Sequence, residues 1–229
     1  MKICVASKIT DHTKTLVKLL REKYKESVVY IPQELYDDSS PRFEYILEKH
    51  KPEWIFFFHW SKIIPKEIFE NYKCVTIHTS NLPDGRGGHP IQNQILDNIK
   101  FTRVNAIRTT DEIDAGDIYC HREISLQGSL NDIWSSITYA AAELIEYCVN
   151  HDPIPTVQDN PTYTYKRRKD NQIILKNKSL DQLYDQIRML DDVGYPSAFI
   201  KIDNFVFNFT RAKYDGEEIL CDVRIRYND

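Results

Sequence analysis

Trp54-Ile55-Phe56-Phe57-Phe58-His59 is the longest strongly apolar run in the chain, and its reading decides the fold. A half-exposed strand alternates polar and apolar residues with a period of two; an unbroken apolar run fits a strand covered on both faces, as in a parallel sheet. It is far too short to span a bilayer, which takes roughly 20 residues. Outward from it, Lys2 to Ser7 and Val28 to Ile31 read as strands, and Cys74 to Ser80 as another whose end is polar. Between them lie helical stretches: an amphipathic run after Asp11, which sits at the N-cap position, carrying Leu16, Leu19, Leu20 and Tyr24; then Pro41 to His50 and Pro65 to Asn71. Strands alternating with helices predict an α/β fold with a mostly parallel sheet. In such sheets ligands bind beyond the carboxyl ends of the strands, which points to His59, Trp60 and residues 76–83.

Downstream, Pro90 to Asn98 reads as a short helix, Val104 to Thr109 and Ile118 to Ile124 as strands, and Leu130 to Asn150 as a long amphipathic helix. The character then changes. Pro153, Pro155 and Pro161 punctuate a connector, Ile173 to Leu175 is a candidate strand, and Ser179 caps a helix to Leu190. Ala198 to Ile202, Phe205 to Ala212 and Ile219 to Tyr227 then read as antiparallel strands with turns at Asn204 and Asp215-Gly216. The expected division is a domain over 1–152 and a small α+β extension over 153–229, whose apolar strand face suggests a homodimer interface.

Net charge is −4, and the basic residues are scattered except at Lys166-Arg167-Arg168-Lys169. That balance argues against broad binding to a phosphate backbone, although one cluster can hold a small anion. The five cysteines form no CxxC pair and have no metal-ligand spacing, so reduced thiols and no metal are expected. The start of the chain does not resemble a signal peptide, and a cytoplasmic location is expected.

Three stretches carry the candidate chemistry. Residues two apart on a strand share a face, so Thr76, His78 and Ser80 present polar side chains together, either as a satisfied ladder or as a catalytic edge. The stretch Leu82-Pro83-Asp84-Gly85-Arg86-Gly87-Gly88 spends three of seven glycines in four positions, which fits a tight loop or a close approach to a ligand. Neither GxGxxG nor GxxxxGK is present, so no dinucleotide site or P-loop follows. Finally Asp111-Glu112-Ile113-Asp114-Ala115-Gly116-Asp117 places four carboxylates in seven residues. It lacks the spacing of a calcium loop, and reads as a solvated acidic turn or as the source of a carboxylate that orients an imidazole.

Taken in order, these residues resemble the folate-dependent formyltransferases, whose signature runs Asn-x-His-x-Ser-Leu-Leu-Pro, Arg-Gly, Pro-Ile/Leu and Leu-Asp-x-Gly-Asp. The matching stretches are Thr76 to Pro83, Arg86-Gly87, Pro90-Ile91 and Ile113 to Asp117, and His78 precedes Asp114 by 36 residues. The resemblance covers about residues 1 to 150 and implies a Rossmann-like formyltransferase domain. It implies N10-formyltetrahydrofolate as donor, His78 as general base toward an amine and Asp114 as its orienting partner. It places the folate against Trp60, Ser61 and Lys62, against Ser80, Asn81, Leu82 and Pro83, at Arg86, Gly87 and Gly88, and along Thr110, Asp111, Glu112 and Ile113. Thr76 stands where the family has an asparagine that helps hold the oxyanion.

Ile187-Arg188-Met189-Leu190 and Tyr195-Pro196-Ser197-Ala198-Phe199 are similar to the tail of the sugar N-formyltransferases. From these pieces, the acidic balance and the short tail, the expected acceptor is a UDP- or dTDP-4-amino-4,6-dideoxyhexose for lipopolysaccharide O-antigen synthesis. Tyr163, Tyr165, Lys166, Arg167, Arg168 and Tyr195 are then the candidate contacts to the nucleotide sugar, with neither nucleic acid nor membrane as partner. Glycinamide ribonucleotide as acceptor, or a degenerate homologue that binds without turnover, are the alternatives.

Overall fold

The structure, a computed structural model, describes residues 2–36 and 42–228. In chain order the elements are β1 (Ile3–Ser7), α1 (Asp11–Tyr24), β2 (Val28–Pro32), α2 (Arg42–His50), β3 (Trp54–Phe58), α3 (Lys66–Asn71), β4 (Lys73–Thr79), β5 (Arg86–Gly87), α4 (Pro90–Leu96), β6 (Phe101–Arg108), β7 (Ile118–Ser125), α5 (Leu130–His151), β8 (Thr164–Tyr165), α6 (Leu180–Arg188), β9 (Ala198–Ile202), β10 (Phe205–Tyr214) and β11 (Ile219–Tyr227). The chain divides into two compact units, one of residues 1–86, 102–124 and 136–164, the other of 87–101, 125–135 and 165–229.

The first unit holds a six-stranded sheet in the order β2-β1-β3-β4-β6-β7. β2, β1, β3 and β4 run parallel, and β6 joins β4 antiparallel with His78 opposite Asn105. Every residue of β1 and of β3 is buried, as their unbroken apolar patterns require. On one face Cys4, Ala6, Ile55 and Phe57 pack with Ile31, Phe43 and Leu47, and Trp60 closes this cluster from the end of β3. The N-cap of α1 is Thr10, not the expected Asp11: its side chain accepts from the Thr13 amide at 3.1 Å, and Asp11 becomes the first helical residue, paired with Lys14 at 2.7 Å. Either residue type caps well, and the one-residue shift puts the acid in the first turn, where the helix dipole favours it. Pro41, the expected start of α2, lies outside the described residues.

The second unit holds the antiparallel sheet β11-β10-β9. Phe205, Val223, Ile225 and Tyr227 lie on one face of it and are exposed. No strand forms at Ile173 to Leu175; an isolated bridge between Gln172 and Phe199 stands in its place. Helix α6 opens with a full capping box, Ser179 accepting from the Gln182 amide while the Gln182 side chain accepts from the Ser179 amide. Ser179→Ala is expected to cost about 1 kcal/mol, read as a lower urea midpoint with unchanged slope. Among the described residues no helix is long and apolar enough to cross a membrane.

Candidate functional site

His78 stands at the carboxyl end of β4, beside the antiparallel β6. The Asn105 amide on β6 donates to the carbonyls of His78 (3.2 Å) and Ser80 (2.8 Å), and so holds the chain in place after the ladder ends. His78 is 7% exposed, and its Nδ1 lies 3.3 Å from Oδ2 of Asp114, itself only 13% exposed. Shielded from water, that attraction is screened far less than on an open surface. Asp114 sits in the β6–β7 loop with φ +55°, a left-handed conformation that Asp tolerates better than most residues. With Nδ1–H turned to the carboxylate, Nε2 carries the lone pair. Nε2 lies 3.1 Å from the Ser80 hydroxyl oxygen, whose one hydrogen goes to the Asp84 carbonyl at 2.9 Å, and 3.4 Å from the Gly85 carbonyl, so both oxygens are placed to accept from Nε2 once it has gained a proton. The buried group therefore joins residues 78, 80, 84, 85 and 114 around one imidazole.

Thr76 does not join them through its side chain: its hydroxyl pairs at 2.9 Å with that of Thr109, a residue the sequence reading passed over. Arg86 is buried, and its guanidinium is already engaged. Nε and Nη2 donate to Oε1 of Gln158 (3.2 and 3.0 Å), Nη2 also donates to the Asp159 carbonyl (2.9 Å), and Nη1 lies 3.5 Å from the exposed Glu112. The pair with Glu112 is water-screened and contributes little; Gln158 and Asp159 hold the side chain. The glycine cluster answers to the chain's own backbone. A Cβ on Gly87 would lie 2.3 Å from the Tyr165 carbonyl oxygen, and one on Gly88 would lie 2.8 Å from the Arg167 nitrogen.

Of the residues expected to meet folate, Trp60 packs by edge or tilt against Tyr36, Phe43 and Phe57 at 5.2–5.8 Å, and its buried indole N–H has no hydrogen-bond partner among the described residues. Both the amide and the hydroxyl of Ser61 donate to Oε1 of Gln33, while Lys62 and Asn81 are exposed and Leu82 is buried. In the 110–113 loop Thr110 donates to the Glu112 carbonyl, and Ile113 is 67% exposed. The residues expected to meet a nucleotide sugar are engaged or exposed as follows. Tyr163 is exposed in the first unit; in the second, the Tyr165 hydroxyl donates to Asp97, the Arg168 amide donates to His89, and Lys166 and Arg167 are exposed. The Tyr195 hydroxyl accepts from the Trp134 indole, and burial pushes that phenol up to about 12. Among the described residues no group of three or more His, Cys, Asp or Glu could hold a metal ion.

The loop before Arg86 is tied by a carboxylate. Oδ1 of Asp84 accepts from the Thr162 amide (2.6 Å) and hydroxyl (2.8 Å), and these bonds hold its pKa below the ordinary 3.8. A depressed acid contributes stability that is present above 3.8 and lost as pH falls through the lower, folded value. Protection of the Thr162 amide from hydrogen exchange should therefore drop as the solution is acidified below 3.8, and Asp84→Asn should flatten that dependence.

Residues 2–137 match the family described as formyl transferase, and residues 169–226 match the methionyl-tRNA formyltransferase C-terminal domain. The chain belongs to the formyltransferase family. A solved methionyl-tRNA formyltransferase from Clostridium thermocellum is 35% identical, with a TM-score of 0.90 and each chain wholly covered. A curated methionyl-tRNA formyltransferase from Bacillus mycoides (strain KBAB4) is 28% identical over 82% of this chain, which spans 61% of that relative's length. A sugar N-formyltransferase from Shewanella is 17% identical, with a TM-score of 0.64 over 89% of this chain and 93% of that one.

These findings overturn the assignment to the sugar branch, the nucleotide-sugar acceptor and the exclusion of nucleic acid; a glycinamide ribonucleotide acceptor fares no better. The sugar enzyme shares the fold at low identity, whereas the nearer relatives are named for a tRNA substrate. The physical reasons for the error lie in the tail. The short tail, taken as pointing to a small acceptor, matches the methionyl-tRNA formyltransferase C-terminal domain over residues 169–226. Net charge is a whole-chain sum, and residues 165–229 carry 12 Lys and Arg against 11 Asp and Glu, so the acidic excess lies elsewhere. The pieces around Arg188 and Tyr195 are packing: Arg188 is buried, donating to the Leu126 and Gly128 carbonyls and to Asp185.

Proposed function

We propose that the chain transfers a formyl group from N10-formyltetrahydrofolate to the α-amino group of methionine carried by methionyl-tRNA. The reading rests on the likeness to the Clostridium thermocellum methionyl-tRNA formyltransferase along the full length of both chains, and the buried His78–Asp114 pair supplies chemistry that fits it. An ammonium must lose a proton before or as nitrogen attacks the formyl carbon. His78 Nε2 takes that proton, and Asp114 keeps Nδ1–H in place and stabilises the imidazolium that results. The paired hydroxyls of Thr76 and Thr109 offer a donor to the negative oxygen in place of the family's asparagine. The folate donor would supply the formyl carbon, its bond to N10 breaking as N10 takes the proton that His78 Nε2 gives back. Residues 110–113 and 80–83 would flank it, and the unspent indole N–H of Trp60 gives the end of β3 a donor for a polar heterocycle.

The test is to incubate the protein with the formyl donor and charged methionyl-tRNA, hydrolyse the ester and look for N-formylmethionine by mass spectrometry. Absence of product with charging intact, or faster formylation of free methionine than of the charged tRNA, would sink the reading.

A further inference from the structure

We infer that Gln158, which lies in the connector after α5 and outside every motif of the sequence, is a positioning residue that sets the carboxylate of Asp114 against His78. Its side chain is used at both ends. Nε2 donates to the Asp114 carbonyl at 3.1 Å and to the Gly116 carbonyl at 2.5 Å, while Oε1 accepts two guanidinium hydrogens from the buried Arg86. The two carbonyls bracket Ala115, so one amide pins the turn in which Asp114 adopts its left-handed φ. The turn cannot slide away on its other side, because Gly116 is pressed against the Arg108 carbonyl and the Arg108 amide donates to the Asp117 carbonyl at 2.8 Å. Arg86 in turn fixes the rotamer of Gln158: a guanidinium has only donors to offer, so it selects the amide orientation in which oxygen faces the arginine and nitrogen faces the loop. The arginine two residues before Gly88 thus reaches the acid of the β6–β7 loop through a residue 44 positions beyond that acid.

This inference rests on the roles given to His78 and Asp114 above. Gln158→Glu keeps the size and the acceptor for Arg86 but turns an oxygen toward both carbonyls. It should lower kcat about 10- to 100-fold, the scale of a misplacement near 1 Å, with KM for the formyl donor within about twofold. Because Gln158 acts through Asp114, the same change in an Asp114→Asn background should cost nothing further, whereas a general loosening of the fold would add its loss to both backgrounds. A readout independent of turnover is the downfield proton resonance of the His78 Nδ1–H held against Asp114, which should move upfield or vanish in Gln158→Glu. If that variant does not fold, Gln158→Met carries the same cycle. Wild-type kcat and an unmoved imidazole signal in a folded variant would overturn the inference, as would a fully additive cycle. Failure of the wild-type protein to formylate methionyl-tRNA would instead strike the proposed function, and the imidazole signal would still decide the role of Gln158.

Discussion

Replacing His78 by asparagine is expected to lower kcat for formyl transfer by about 10²- to 10⁴-fold, or about 3–5 kcal/mol of barrier, while the protein still folds. Asparagine preserves a donor toward Asp114 but has no atom that can take a proton near neutral pH. The surroundings should survive the change, because the strand end is held by the Asn105 amide on the His78 and Ser80 carbonyls rather than by the imidazole. Single-turnover formylation, with far-UV circular dichroism as the control for folding, checks the outcome. A variant with kcat within threefold of wild type would remove His78 as the base and leave the proposed chemistry without a proton acceptor. Asp114→Asn should show the same pattern: with no carboxylate to hold Nδ1–H, the neutral imidazole can settle with its proton on Nε2, the atom that must be free.

How far the sequence foretold this site follows from which contacts are local in pattern. The buried strands were legible because an apolar run without alternation has only one comfortable place, between two covered faces; β1 and β3 occupy it. The glycine-rich turn was legible as a place of close approach, but what approaches Gly87 and Gly88 is the chain itself at residues 165–167, and no local pattern distinguishes backbone from ligand. That His78 and Asp114 meet followed only from likeness to a family, since closing a gap of 36 residues is a tertiary event. Gln158 and Thr109 escaped notice for the same reason. A glutamine in a proline-punctuated connector and a threonine at a strand end are unremarkable until Arg86 and Thr76 are placed beside them. The tail misled because its pieces were read as a signature of substrate, whereas Arg188 and Tyr195 spend their polar atoms on their own unit's backbone and on Trp134.

Gly116→Ala should be nearly as damaging as losing Asp114 itself, although the methyl group touches no reacting atom. Its Cβ would lie 1.7 Å from the Arg108 carbonyl oxygen and 2.8 Å from the carbonyl carbon. These are backbone atoms at the end of β6, whose residues pair with β4 from Val104 through Arg108, so the strand cannot retreat without breaking the ladder that carries His78. The loop must move instead. Doing so gives up the Arg108–Asp117 backbone bond at 2.8 Å and the Gln158 bond to the Gly116 carbonyl, and carries Asp114, two residues away, off the imidazole. Overpacking of this kind costs about 1–3 kcal/mol of stability, a fraction of what a domain of this size holds, so the variant should remain folded. Its kcat should fall by at least about 10²-fold, as expected for a catalytic group displaced by near 1 Å. Because the damage is to the loop, Gln158→Glu in the Gly116→Ala background should add little. Wild-type turnover in folded Gly116→Ala would mean that the loop can rebuild around a methyl group with Asp114 still in place, and that the tight fit against Arg108 is not what positions the acid.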